Sequence, residues 1–169
     1  MKTRQIVIAA GVGLVLWYLL TQTKRVDIGA ASISRLKIEG GGLRLNIRLP
    51  IINRSDFPVP VSGFLGRLLY NGIEVGSVQQ TGAVQLAPRA VTPIEFTTLI
   101  SFLGLATSTP LLSILNSLAK KYLNVSLPGI PTDQVLTGSA LTQALGALRV
   151  QGTLYVGSLG IDINQPLTA

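Results

Sequence analysis

The sequence predicts a mainly β protein: an antiparallel β-sandwich with one amphipathic helix, preceded by an N-terminal transmembrane helix. Three observations lead to this fold class. Apolar and polar residues alternate through several short segments, turn signals recur about every 8–12 residues, and one uncharged apolar run lies near the N-terminus. The length of 169 residues suits one domain plus a small appendage and is too short for two full domains.

The composition excludes several classes of function. Apolar residues make up 47% of the chain and charged residues 12%, which excludes intrinsic disorder. Histidine and cysteine are absent, so there is no Ser–His or Cys–His nucleophile pair, no Cys/His zinc site and no disulfide. No two of the seven acidic residues lie within four residues of each other. We therefore expect no enzymatic activity, no cofactor, no metal site and no small-molecule substrate.

The net charge of +7 is concentrated at the N-terminus. Residues 1–25 contain four basic residues and no acidic one, and contribute +4. The other residues contain ten basic and seven acidic side chains, and contribute +3. Their arginines are spread along predicted strands and form no basic stripe with aromatic residues between them, so we expect no specific nucleic-acid binding.

The run from Ile6 to Leu20 is uncharged and predicts a membrane anchor. As a helix it would span about 23 Å, and polar neighbours and snorkelling basic residues can extend it toward the ~30 Å hydrocarbon core. The aromatic pair at one end of the run suits the headgroup level. The predicted anchor residues are Ile6, Val7, Ile8, Val12, Leu14, Val15, Leu16, Trp17, Tyr18, Leu19 and Leu20, and their basic flanks are Lys2, Arg4, Lys24 and Arg25.

A cleaved signal peptide and a buried core helix are the alternatives for this run. Lys24 and Arg25 follow shortly after it and no clear A-x-A site comes after Leu20, which disfavours cleavage. Two basic residues stand on each side, so the positive-inside count is tied. We expect a single-pass membrane protein with its domain on the non-cytoplasmic side, or in the membrane of a virus particle.

Strand signals dominate from Val26 onward. Apolar residues occupy every odd position from Leu43 to Leu49, as in a strand with one buried face. The turn residues Asn53 to Pro58 close this strand, and Asn71-Gly72 predicts a hairpin of type I′, which needs positive φ at both residues. Further strands are predicted at 35–39, 59–70, 73–75, 82–86, 93–100 and 148–156.

One segment has helical periodicity instead. Thr109-Pro110 supplies a helix start, and the apolar residues that follow recur with a period of 3.6, opposite a face of polar residues that includes Asn116 and Ser117. We expect this helix to cover an end or a face of the sandwich; a second membrane contact and a lid over a lipid groove are the alternatives. Residues 140–145 fit either a short helix or a strand.

The predicted organisation is an anchor at 1–25, a sandwich at 26–157 with a helical insertion near 109–123, and a C-terminal tail at 158–169.

The order of elements resembles the type-2 late embryogenesis abundant proteins, whose module is also called the WHy domain. The resemblance covers residues 26–156. It is carried by Ile51-Ile52-Asn53-Arg54-Ser55, by the hairpin from Tyr70 to Gly76, by Leu86-Ala87-Pro88, and by Val150-Gln151-Gly152-Thr153-Leu154. Arg54 stands where proline is usual. The resemblance implies an immunoglobulin- or fibronectin-like sandwich with one helix, no enzymatic activity, and roles in stress protection or lipid handling.

The sequence is consistent with two different functions. The first is a non-enzymatic structural or adaptor protein, with the lipid bilayer as one partner and other proteins of a large membrane-bearing assembly as the rest. That assembly would be a cell-envelope complex or a lipid-containing virion. The alternative is a lipid-binding or stress-protective module. Lipid binding requires a pocket of at least ~300 Å³.

Overall fold

A computed structural model describes residues 25–80, 82–102, 109–127, 135–157 and 159–168. The chain forms nine strands and two helices there. In order they are β1 (Val26–Ile28), β2 (Ala31–Glu39), β3 (Gly42–Asn53), β4 (Val59–Tyr70), β5 (Ile73–Gln80), β6 (Val84–Leu86), β7 (Ala90–Ser101), α1 (Thr109–Leu123), α2 (Gly138–Leu145), β8 (Leu148–Val156) and β9 (Leu159–Thr168).

Seven of the strands form a closed sheet in the order β3-β2-β9-β8-β4-β5-β7, with β7 pairing back onto β3. β1 adds to β3 and β6 adds to β4. The β3–β7 pairing runs over the full length of both strands, from Gly42–Ser101 to Asn53–Ala90. The mainly β prediction is confirmed, but the prediction of a sandwich of two separate sheets is wrong because the strands close into one continuous sheet.

The closure depends on two narrow seams. β2 and β9 run parallel and pair only at Ala31–Leu167 and Ser32–Thr168. β5 and β7 pair only at Gln79–Thr97. The other pairings are long and antiparallel, so the sheet consists of two halves, β2-β3-β7 and β9-β8-β4-β5, joined at these seams. Each half buries one face against the other, which is why a sandwich and this closed sheet share the same alternating pattern.

The interior follows the alternation predicted for β3. Leu43, Leu45, Ile47, Leu49 and Ile51 are all fully buried. The hairpin prediction is also confirmed: β4 ends and β5 begins on either side of Asn71 and Gly72, which have φ of 49° and 84°.

A pair of glycines leaves space for an aromatic ring in the core. Phe64 stacks on Phe96 with a centroid distance of 5.0 Å. Gly66 and Gly152 face each other across β4 and β8, and a Cβ at either position would lie within 2.8 Å of Phe64 Cζ. Glycine is therefore required at both positions by close packing of backbone and ring.

Both helices pack against the sheet. The predicted helix over 109–123 is confirmed as α1, and its apolar face, including Leu111, Leu115 and Leu118, is buried in the core. Tyr122 Oη donates to the carbonyl of Ile33 in β2 at 3.2 Å. Of the two structures left open for residues 140–145, the chain adopts the helix, α2.

The C-terminal end of the chain is part of the closed sheet. Residues 158–169 were expected to be a tail, but Leu159–Thr168 forms β9, which pairs with β8 along nearly its whole length. The tail prediction is wrong because β9 completes the closed sheet. The predicted anchor, Ile6 to Leu20, and the flanks Lys2, Arg4 and Lys24 lie outside the described residues. Within the ranges that are described, no helix has the length and apolar character to cross a membrane.

Candidate functional site

One end of the sheet, here called the proximal end, receives the chain from the N-terminus. It comprises Arg25, the β3–β4 loop at 54–58 and the β6–β7 turn at 87–89. The Arg54 amide donates to the carbonyl of Arg25 at 2.8 Å, and the Arg89 amide donates to the carbonyl of Ser55 at 3.0 Å. The first hydrogen bond holds Arg25, the one predicted flank among the described residues, against the loop, and the second holds the β6–β7 turn against it.

The buried side chain of Asn53 organises this end. Its Nδ2 donates to the carbonyls of Phe57 at 2.9 Å, Leu86 at 3.2 Å and Ala87 at 3.1 Å. Its Oδ1 accepts from the amide of Ser55 at 3.0 Å and from its Oγ at 2.7 Å. Asn53 is the last residue of β3, and its carboxamide connects the β3–β4 loop to the end of β6.

The surface of the proximal end combines apolar and basic groups. Phe57 is 54% exposed, and Val91, the second residue of β7, is 59% exposed. Arg54 pairs with Asp27, and Arg89 pairs with Asp56. These ion pairs are solvent-exposed and each contributes about 0–1 kcal/mol, so the arginines stay available to other anions. Large apolar side chains beside arginines are typical of surfaces that meet a membrane interface.

The second candidate site is a cleft of about 460 Å³ between α1 and α2. It exceeds the ~300 Å³ that a small-molecule site requires. Among the described residues, three apolar side chains line it together with two lysines, and none of those lining residues is acidic. The lining residues are Ser117, Lys120, Lys121, Val135, Leu136, Thr137, Gly138, Leu141 and Thr142.

Buried polar side chains of α1 shape this cleft. Ser117 Oγ accepts from the amide of Leu136 at 2.7 Å and donates to the carbonyl of Ser113 at 2.6 Å. Asn116 Oδ1 accepts from the amide of Leu127 at 2.8 Å. The sequence placed Asn116 and Ser117 on the polar face of the helix, but both are buried because the chain after α1 folds back over them.

Sequence reasoning missed the cleft. Lys120 and Lys121 lie in the last turn of the helix, where basic residues are common, and the sequence from Val135 to Thr142 has no clear periodic pattern. The available signal was the uncharged pair Asn116-Ser117 in the middle of a helix. Such residues favour local backbone hydrogen bonds, and they are costly to bury unless a partner satisfies them.

Tyr122 lies beside the cleft, at the end of α1. Burial raises the pKa of its phenol above the ordinary value of 10.0. Lys121 Nζ lies 5.5 Å from the centroid of the Tyr122 ring, within reach of a cation–π contact. Tyr122 therefore contacts Lys121 through its ring and β2 through its hydroxyl group.

A third concavity, on the outer surface of β4, β5, β8 and β9, is more polar. Its volume is about 660 Å³, and its charged lining residues are Arg67, Glu74 and Asp162. Thr153 Oγ1 donates to Asp162 at 3.2 Å. Over the described part of the chain, no three His, Cys, Asp or Glu residues come together in a group that could hold a metal ion.

The fold and these sites define a class of protein: a closed, seven-stranded, mainly β domain with two helices. No protein-family description matches the chain. No curated protein matches it. Among solved structures, the chain is similar to one described as the crystal structure of a protein from Archaeoglobus fulgidus, with 12% identity, a TM-score of 0.44, and coverage of 82% of this chain and 90% of that chain. The resemblance to the type-2 late embryogenesis abundant proteins stays a prediction.

Proposed function

We propose that this protein is a non-enzymatic, membrane-anchored adaptor. Its N-terminal apolar run holds it in a bilayer, and its closed sheet docks onto other proteins of a membrane-bearing assembly. The observation that supports this proposal is the proximal end: the chain from the predicted anchor reaches the domain at the same end that exposes Phe57 and Val91 among three arginines.

The length of the apolar run adds to this support. A run of 15 uncharged residues spans about 23 Å as a helix, less than the ~30 Å hydrocarbon core. A short anchor draws the domain toward the headgroups rather than leaving it on a long stalk. Phe57 and Val91 would then lie at headgroup depth, with Arg54 and Arg89 facing lipid phosphates.

The side of the sheet offers contacts for proteins. Leu65 on β4 is 51% exposed and Tyr155 on β8 is 38% exposed. The two strands are neighbours, and Leu65 pairs with Thr153, two residues before Tyr155. Exposed aromatic side chains such as Tyr155 are enriched in protein interfaces.

Fractionation tests the anchor. The full chain should sediment with membranes, resist extraction by salt, and be released by detergent. A variant that lacks residues 1–25 should remain in the supernatant. Recovery of the full chain in the supernatant without detergent would contradict the anchor, and protease accessibility in sealed vesicles would report the side on which the domain lies.

Site-directed spin labels test the orientation of the domain relative to the bilayer. Because the chain has no native cysteine, each single-cysteine variant carries one label at a known position. A label at Phe57→Cys should be accessible to lipid-soluble oxygen in a phosphatidylcholine nanodisc. A matched label at Ile73→Cys, in the β4–β5 hairpin at the opposite end and 70% exposed, should be accessible to an aqueous nickel reagent. Equal water accessibility at both labels would contradict a proximal end that rests on the bilayer.

Electron cryo-microscopy of native membranes tests the adaptor role. The domain should contact another protein over at least ~800 Å² per partner, the size of a standard specific interface. A domain that stands alone in the membrane, without a contact of that size, would contradict the docking function while leaving the anchor intact.

A further inference from the structure

We propose that the cleft between α1 and α2 binds a free, single-chain anionic amphiphile, a fatty carboxylate. Its carboxylate would pair with Lys120 and Lys121, and its chain would lie against Val135, Leu136 and Leu141. This activity goes beyond the adaptor role, because it requires neither the anchor nor a protein partner.

The charge of the cleft selects an anionic headgroup. Lys120 and Lys121 both line it, and none of the nine lining residues that the structure describes is acidic. Among the described residues, neither lysine belongs to an ion pair. Two ammonium groups on consecutive residues at one side of an apolar cleft complement a carboxylate that sits at the mouth while its chain points inward.

The apolar wall of the cleft is preformed. The amide of Leu136 is bound to Ser117 Oγ at 2.7 Å, and Ser117 itself is buried, so the position of Leu136 is fixed by α1. Leu141 is 4% exposed and belongs to the body of α2. A ligand therefore need not order this wall on binding, which favours affinity.

The size of the cleft selects a small ligand. About 460 Å³ lies within the ~300–1,000 Å³ range of small-molecule sites. Nine residues of the described ranges line it, whereas a stable protein interface uses about 20–30 residues on each side. One acyl chain fits this geometry better than the two chains of a phospholipid or a folded protein segment.

Photolabelling of the full chain in phosphatidylcholine nanodiscs tests the proposal. The probe is a dodecanoate that carries a diazirine near the end of its chain. Its adducts should concentrate on residues 135–142, as mapped by mass spectrometry, and unlabelled dodecanoate should suppress them. Dodecyl maltoside, which has the same chain and a neutral headgroup, should not suppress them at equal concentration.

Lysine variants separate headgroup recognition from partition into the bilayer. Lys120→Gln combined with Lys121→Gln should lower labelling of residues 135–142 about tenfold, because each pairing contributes a few-fold to affinity. Both side chains are exposed, so the variant should retain its fold by circular dichroism. Lys37→Gln, an exposed lysine on β2, is the matched control and should leave labelling unchanged.

Three results would overturn the proposal. The first is adducts restricted to residues 1–25, which would mean that the probe reaches the chain only from the bilayer. The second is equal labelling of residues 135–142 in the double lysine variant. The third is equal labelling of these residues by a photoreactive phosphatidylglycerol in the nanodisc, which would identify a membrane phospholipid as the occupant. None of these results depends on whether the domain docks onto another protein.

Discussion

The side chain of Asn53 forms hydrogen bonds with four backbone groups at the proximal end. Its amide group reaches carbonyl oxygens of Phe57, Leu86 and Ala87, and its carbonyl oxygen holds Ser55. Without this side chain, several buried polar groups would lose their partners, and each such group costs about 1–3 kcal/mol.

Asn53→Ala should therefore lower the free energy of unfolding by about 2–4 kcal/mol. Asn46→Ala is the matched control on the same strand: Asn46 is half-buried, and its Oδ1 accepts a bond from Thr97 Oγ1 at 3.4 Å. That control should cost under about 1 kcal/mol. Chemical denaturation measures both, and equal losses would contradict the role given to Asn53.

Tyr122 should make the stability of the domain sensitive to alkaline pH. Burial raises the pKa of its phenol in the folded state above 10.0, so the unfolded chain releases this proton at a lower pH than the folded chain does. The contribution of the neutral phenol is fully present below pH 10 and is lost as the pH rises through the folded-state pKa.

Stability curves from pH 8 to 12 should consequently fall more steeply for the natural chain than for Tyr122→Phe. Tyr155→Phe, on the outer face of β8, serves as the matched tyrosine control. If the two phenylalanine variants give the same curve, the alkaline loss does not come from Tyr122.

The strands whose residues alternate could be predicted, and the strands with weak alternation could not. In β3, the four apolar residues at odd positions from Leu43 to Leu49 predicted both the strand and its buried face. In β9, the alternation is limited to Leu159, Ile161 and Ile163, and the polar residues and proline at 164–166 interrupt it, so no strand was predicted there. Pro166 is tolerated because β9 pairs with β2 only at Leu167 and Thr168, which leaves it an edge-like strand at that point.

Gly66 and Gly152, at the centre of β4 and β8, leave no room for a side chain. Gly152→Ala should lower the free energy of unfolding by about 3 kcal/mol or more, since the new Cβ would lie 2.3 Å from the carbonyl oxygen of Leu65 and 2.8 Å from Phe64 Cζ. Gly82→Ala is the control, because the Cβ it would add meets no atom of the described residues within 4 Å, its chain neighbours aside. Its change should stay within about 0.5 kcal/mol, and a comparable loss in both variants would show that the Phe64 packing is not the cause.

The closure of the sheet could not be derived from local patterns. It depends on β3 pairing with β7, whose partners are as far apart in sequence as Gly42 and Ser101, and on seams of only one or two residue pairs. Alternation of apolar and polar residues predicts which face of a strand is buried, but it does not predict which strand lies beside it. The candidate cleft was beyond prediction for a similar reason, since its walls come from α1 and from residues that carry no periodic signal.

Unequal seams predict unequal local stability across the molecule. Amides of β5, which pairs with β7 only at Gln79–Thr97, should exchange with solvent faster than amides of β3, which has full-length antiparallel pairing to β7 and pairs with β2 on its other side. Hydrogen–deuterium exchange on the full chain, resolved by peptide, measures this difference. Protection of β5 equal to that of β3 would mean that the β5–β7 corner is held by more than its one backbone pair.

Because β9 is the last of the nine strands to leave the ribosome, the sheet cannot close during synthesis of the first eight. Until then β8 and the start of β2 would present unpaired backbone edges, which are templates for association with other chains. Translation products that stop before Leu159 should accordingly aggregate or be degraded rather than accumulate as smaller working domains.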